Sequence, residues 1–227
     1  MREFDLREQK VRDLNAQLHS HNGSQASDGY RVRHPNGAHA VAAGIDAPLD
    51  VEIDGHVGYY CAGMNQHAEV HISGTAGSGL AENIMSGTVR LRGNASQYAA
   101  ASGHGGLVVI EGDASARCGI SMKGVDIVVG GSVGHMAAFM AQAGNLVICG
   151  DAGHHLGDSI YEARLFVRGA VASLGADCVE KPMADEHREI VRELLERAGI
   201  DADPGEFRRY GSARKLYHFN VDHADAY

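Results

Sequence analysis

The chain has 227 residues, enough to bury a real core, with 20 basic against 29 acidic side chains and a formal net charge of −9. That balance argues against a nucleic-acid or anionic-membrane binder, since both need clustered positive charge. Glycine fills 30 positions, about 13% of the chain against a usual ~7%, while proline is scarce and tryptophan absent, so the core must be built from small aliphatic residues.

Residues 1–50 precede the regular part of the chain. The opening MREFDLREQK carries charge where a secretory segment would be apolar, and no run of ~18 apolar residues occurs anywhere. No signal peptide or membrane span is expected, and the chain reads as cytoplasmic. Asp5 and Glu8 have the spacing of a capping box, and Val11, Leu14 and Leu18 recur at helical spacing before Gly23. A short amphipathic helix is predicted from about residue 5 to residue 20. The stretch HNGSQASDGYRVRHPNGAH reads as loop.

Residues 51–180 repeat. Gly55, Gly74, Gly93, Gly112, Gly131, Gly150 and Gly169 are each 19 residues apart. Four positions before each marker stand Val51, Val70, Val89, Val108, Ile127, Leu146 and Leu165, and two before stand Ile53, Ile72, Leu91, Ile110, Val129, Ile148 and Val167. Two after stand Val57, Ala76, Ala95, Ala114, Val133, Ala152 and Val171. Small residues fill the third position after the marker (Gly58 to Ala172) and the seventh (Ala62 to Ala176). Apolar residues at −4, −2 and +2 have the period of a strand. One unit of this length cannot bury its own inner face, so successive units must stack. The fold predicted is an all-β, right-handed, single-stranded parallel β-helix of seven coils of about 19 residues, with short helical flanks. Coil-to-coil pairing at roughly 4.8 Å makes a rod on the order of 30 Å long. An antiparallel sandwich of regular hairpins is the alternative, disfavoured because every unit keeps the same phase. The marker glycines suit a bend or a left-handed backbone, and the small columns suit tight corners or a narrow interior.

The outward column three positions before each marker changes character. Glu52, His71 and Arg90 are polar, whereas Val109, Val128, Val147 and Phe166 form an apolar stripe that must be hidden from water. Residues 181–227 follow the last coil. PMADEHREIVRELLERAGI is predicted as a helix with Ile190, Val191, Leu194, Leu195 and Ala198 on one face and Gly199 at its C-terminal cap. That apolar face is the expected cover for the stripe, and a partner protein is the alternative. FRRYGSARKLYHFNVDHADAY reads as an arm lying over the rod or onto a partner. The flanking helices are expected to cap the open ends of the stack.

Chemistry is sparse. No P-loop, dinucleotide fingerprint, nucleophile elbow, zincin or EF-hand pattern is present. Cys61, Cys118, Cys149 and Cys178 lack metal or iron–sulfur spacing and read as separate reduced thiols; Cys61 and Cys118 fall three coils apart, roughly 14 Å, too far to bond. His135 and His154 share the +4 position of adjacent coils and are weak candidates for half a metal site, with His155 and Asp151 near; a solvated histidine ladder is the plainer reading. Asp113 and Asp151 read as turn residues rather than a carboxylate pair, and His19, His21, His218 and His223 fall in predicted loops. No catalytic, cofactor-binding or metal residue is assigned. A rod with a small dry interior offers shape, an outer face and two ends, which points to an interaction module.

Repeated G-x-x-G-x-x-x-G units carry a resemblance. Gly150, Gly153 and Gly157 match in full, and Gly55-Gly58-Ala62, Gly74-Gly77-Ala81, Gly131-Gly134-Ala138 and Gly112-Ser115-Gly119 match with small replacements. Gly93-Ser96-Ala100 and Gly169-Ala172-Ala176 keep only the first glycine. Over roughly residues 40–180 the chain resembles the GXGXG domain that ends the large subunit of glutamate synthase. Its length and terminal helix resemble the free-standing, glutamate-synthase-domain-3-like subunit of split enzymes, closest to the one found in N-methylglutamate synthase. The resemblance implies a non-catalytic scaffold subunit holding an amidotransferase-like subunit and a synthase-like subunit that bears FMN and an iron–sulfur cluster. The implied reaction joins methylamine nitrogen to glutamate, giving N-methylglutamate and ammonia, in methylotrophic metabolism. No cofactor is implied in this chain. The β-helical scaffold chain of formylmethanofuran dehydrogenase or of the related formyltransferase/hydrolase complex, and a stand-alone binding module, are the alternatives.

Overall fold

The computed structural model describes residues 1–23 and 29–214. The core is a parallel β-solenoid. Its strands are β1 (Arg2–Asp5), β2 (Gly29–Arg33), β3 (Asp50–Asp54), β4 (Glu69–Ile72), β5 (Thr88–Leu91), β6 (Leu107–Ile110), β7 (Lys123–Val129), β8 (Ala143–Ile148) and β9 (Arg164–Val167), all parallel and paired in chain order. Helices α1 (Val11–His19) and α2 (Asp185–Ala198) and strands β10 (Cys178–Lys181) and β11 (Arg208–Ser212) complete the described chain.

Like positions superpose. Val51 pairs with Val70, Val70 with Val89, Val89 with Val108, and so on to Leu165. A second parallel ladder runs through the +2 column, from Val57 to Val171. The −4, −2 and +2 columns point inward and merge into one core with the buried +7 alanines. Isolated strands of four residues would not persist; stacking supplies both their hydrogen-bond partners and their apolar contacts.

The marker glycines prove necessary for a different reason from a left-handed backbone. Of the seven, only Gly55 has a positive φ. A Cβ on Gly93 would lie 2.5 Å from the Gly74 carbonyl oxygen, and one on Gly150 would lie 2.7 Å from the Gly131 carbonyl carbon. The same glycines bond coil to coil, with Gly93 N–H donating to Gly74 O at 2.9 Å and Gly150 N–H to Gly131 O at 2.8 Å. Backbone thus rests on backbone, with no room between. The left-handed residues sit instead at the corner, where Ala62, Ala81, Ala100, Gly119, Ala138 and Gly157 of the +7 column all have φ between +52° and +68°. Alanine there costs about 1–2 kcal/mol, and the coil-to-coil bonds hold it, as from Ala81 N–H to Cys61 O at 2.8 Å.

The flank before residue 51 departs from the expectation of a helix from residue 5 followed by loop. Asp5 ends β1, opposite Arg33, and accepts the Arg7 N–H in the turn that follows. The helix begins only at Val11, with Lys10 as its N-cap and no side-chain cap. Within the stretch read as loop, β2 pairs with β1 on one side and β3 on the other. Val51 lies opposite Tyr30, 21 positions earlier, so this winding is longer than the 19-residue period and falls out of phase with it. Helix α1 closes the open end. Leu14 and Leu18 enter the core, and Asn15 donates to Ala40 O at 2.8 Å while accepting from Ala42 N–H at 3.0 Å.

At the other end α2 does not close the stack; it lies along the side and covers the stripe. Val109, Val128, Val147 and Phe166 pack with Val191, Leu194, Leu195 and Ala198 in a second core. The end itself is covered by β11, antiparallel to β9, with β10 outside it as the sheet edge. The first part of the predicted arm therefore lies over the rod. His218 and His223 lie outside the described residues.

Gly112→Val should destabilise the solenoid by about 3 kcal/mol, because its side chain would be driven against Gly93 O, only 2.9 Å from the Cβ position. Gly199→Ala, at the α2 cap with φ +69° and nothing within 4 Å, should cost about 1 kcal/mol. Denaturant midpoints compare the two; equal losses would mean that coil contact is not what the markers serve.

Candidate functional site

The outer face of the first ladder has two halves. Toward β9 it is apolar and sealed by α2. Toward β2 it stays open, as a charged groove of about 380 Å³ whose lining includes Arg31, Glu52, Asp54, Arg90, Arg92 and Glu111. Arg31 Nε lies 2.8 Å from Asp54 Oδ2 and 3.8 Å from Glu52 Oε2, and Asp54 raises the Arg31 guanidinium above its ordinary value. Such exposed pairs add little stability; they present an ordered pattern of charge. Arg90 marks the boundary of the halves. Its guanidinium donates to Ala198 O at 2.6 Å and Arg197 O at 3.0 Å, satisfying the carbonyls that the last turn of α2 leaves open.

His154 Nδ1 lies 3.3 Å from Ser173 Oγ, and its ring is 6.2 Å from that of His155. Among the described residues no group of three or more His, Cys, Asp or Glu side chains could hold a metal ion, so His135 and His154 gain no third ligand. The four cysteines are free and buried. Burial pushes the Cys61 and Cys118 thiols up to about 12 and Cys178 to about 11, so all three are packed as protonated thiols. Asp113 and Asp151 belong to a ladder. Asp113 Oδ1 accepts the Ser132 N–H at 2.7 Å, Ser132 Oγ accepts from Asp151 at 2.9 Å, and Asp151 Oδ1 accepts from Ala170 at 2.7 Å. Each side chain ties its coil to the next.

Sequence reading missed one further alignment. Ser86 Oγ is 3.4 Å from His67 Nδ1, whose Nε2 is 3.7 Å from Asp46 Oδ1. The order is that of a hydrolytic triad, but 3.7 Å is too long for a hydrogen bond. Ser86 Oγ also accepts the His67 backbone N–H at 3.0 Å. Hydroxyl contacts with a histidine of the adjacent coil recur, at Thr75 Oγ1 with the His56 ring and at Ser173 Oγ, which accepts the His155 backbone N–H. The alignment is therefore another ladder contact. No helix of the described chain is long and apolar enough to cross a membrane.

His187, in the first turn of α2, is nearly buried against Phe166, with ring centroids 6.5 Å apart, and accepts the Ala184 N–H on Nδ1 at 3.1 Å. Burial, then the Arg209 charge, hold it below its ordinary 6.5, with Arg164 adding to them and Glu186 opposing. The unfolded chain binds this proton more readily, so stability is full above pH 6.5 and is lost as pH falls below it. A His187→Gln variant should show a flatter stability profile between about pH 7 and pH 5 by chemical denaturation; an unchanged slope would remove His187 as its cause.

No family model matches the chain. Protein GlxC of Rhizobium meliloti (strain 1021) is 59% identical over 225 residues, which cover 99% of each chain. With that identity over nearly the whole of both chains, the chain belongs to the GlxC family.

Proposed function

We propose that this chain is the scaffold subunit of a glutamate-synthase-like enzyme of several subunits. The reaction proposed for the whole assembly is that of N-methylglutamate synthase, in which methylamine and glutamate give N-methylglutamate and ammonia. The partners are an amidotransferase-like subunit and a synthase-like subunit that carries FMN and an iron–sulfur cluster, all in the cytoplasm. The chain itself supplies no reacting group in this reading.

The observation that carries the scaffold reading is the filled interior. The inward columns are valine, leucine, isoleucine and alanine in mutual contact from one end of the stack to the other. A tube packed in this way admits no reactant, and what it offers to other molecules is its rigid exterior. The glycine pattern Gly150-Gly153-Gly157 and its replacements in the other coils support the glutamate-synthase relationship. The charged groove beside α2 supports docking, since ordered charge on a rigid face selects partners and their register.

Purification of the native assembly followed by mass analysis tests the proposal. The expected set is this chain with an amidotransferase-like and a flavin-bearing subunit, with N-methylglutamate formed by the assembly and no turnover or flavin colour in the isolated chain. Flavin or an iron–sulfur cluster bound to the isolated chain would overturn the scaffold role. Recovery with an amidohydrolase-like subunit and a formyltransferase would overturn the N-methylglutamate reaction.

A further inference from the structure

The C-terminal end of the solenoid carries a concentration of positive charge at odds with a chain of net charge −9. A pocket of about 320 Å³ opens there between β9, β10 and β11, and its lining includes Arg164, Lys181, Arg209 and Arg214 beside the carboxylate of Glu162. Register explains the assembly. Arg209 lies opposite Phe166 on β9 and opposite Lys181 on β10, and Tyr210, the next residue, turns into the core. Arg209 and Lys181 therefore stand side by side on the outer face, and Gly211 returns to that face beyond them. Gly211 is part of the pocket lining, and a Cβ built on it would meet Ala163 O and the Lys181 side chain at 3.9 Å, so the glycine forms a close-fitting floor that a larger side chain would crowd.

These cations are not neutralised in proportion. Arg214 is paired with Asp177. Among the described residues, Arg164 and Lys181 have no carboxylate within ion-pair distance. Arg209 donates one Nη1 bond to Pro182 O at 3.2 Å, while its Nε is closed off from solvent and has no acceptor. A buried donor without an acceptor is costly, and more so in a charged group. Arg164 also bears on Arg209 as a like charge, more strongly than Glu186 offsets it. Like charges gathered around a pocket are the arrangement that a bound anion stabilises.

We propose that the pocket above Gly211 is a binding site for an oxyanion, the phosphate or carboxylate group of a small molecule, held between Arg164, Lys181 and Arg209. The site is independent of the scaffold reading, since it requires only this chain.

The test is calorimetric titration of the full chain at low salt with inorganic phosphate and, separately, with succinate, which distinguishes the two sources of the anionic group. Saturable binding of one of them in the millimolar range or tighter is expected, with a rise in melting temperature that follows ligand concentration. Arg164→Gln should weaken binding at least tenfold while leaving the ligand-free melting temperature unchanged or higher, because it relieves a repulsion. Gly211→Val should block binding by filling the floor without removing any charge. Arg92→Gln, in the distant groove, should bind as the parent does. Absence of saturable binding by either anion overturns the proposal, as does unaltered affinity in a folded Arg164→Gln or Gly211→Val protein.

Discussion

Successive windings touch through their backbones at the marker glycines, and the rest of the structure is arranged around that contact. Gly93 N–H reaches Gly74 O, and the space a side chain would need is already taken by peptide atoms of the coil below. The +3 column has similar close approaches at Gly77 and Gly153, yet it accepts serine at positions 96 and 115 and alanine at 172. The marker column accepts glycine alone in all seven coils. Because the contact recurs with fixed geometry, coil length is locked at 19 residues, and with it the superposition of every apolar column. Ladders of Asn, Asp, Ser and His side chains, each receiving an N–H of the adjacent coil, follow from the same superposition.

A stack so built must dispose of two ends and an outer face. The first end is met by α1, whose Asn15 satisfies a donor and an acceptor of the first winding while its leucines fill the interior. The last is met by β11, an antiparallel strand that breaks the parallel order and leaves β10 as the edge. The outer face is divided. Where Val109, Val128, Val147 and Phe166 replace charged residues, α2 lies down and buries them, and it stops where Arg90 can bind its last carbonyls. Helix length, stripe length and the position of one arginine agree because each limits the others.

In the scaffold reading, the exterior is what the molecule offers to others. The open charged groove between β2 and α2 and the cationic pocket beside β11 lie on different parts of the surface, one with Glu52, Asp54 and Glu111 set against arginines and the other with cations in excess. The difference is electrostatic. Paired charges present a pattern to a large surface, whereas a pocket with cations in excess is suited to a compact anion.

The periodic part of the fold was legible in the sequence because a constant coil length turns neighbours in space into neighbours at a fixed interval along the chain. The seven markers, the inward columns, the apolar stripe and the helix that covers it could all be read from residue identities. The winding before residue 51 could not, since it is 21 residues long where Tyr30 meets Val51 and so leaves no mark at a period of 19. Nor could the reason for the glycines. Left-handed backbone and close packing both demand the same residue, and only the separation of adjacent coils decides between them. The cationic pocket was hidden for a related reason: its residues come from three segments at 161–164, 181 and 209–214, and they meet only because α2 carries the chain back and lets β11 enter between β9 and β10. Sequence alone determined what repeats; contacts between segments that do not repeat were decided by tertiary packing, because no interval along the chain encodes them.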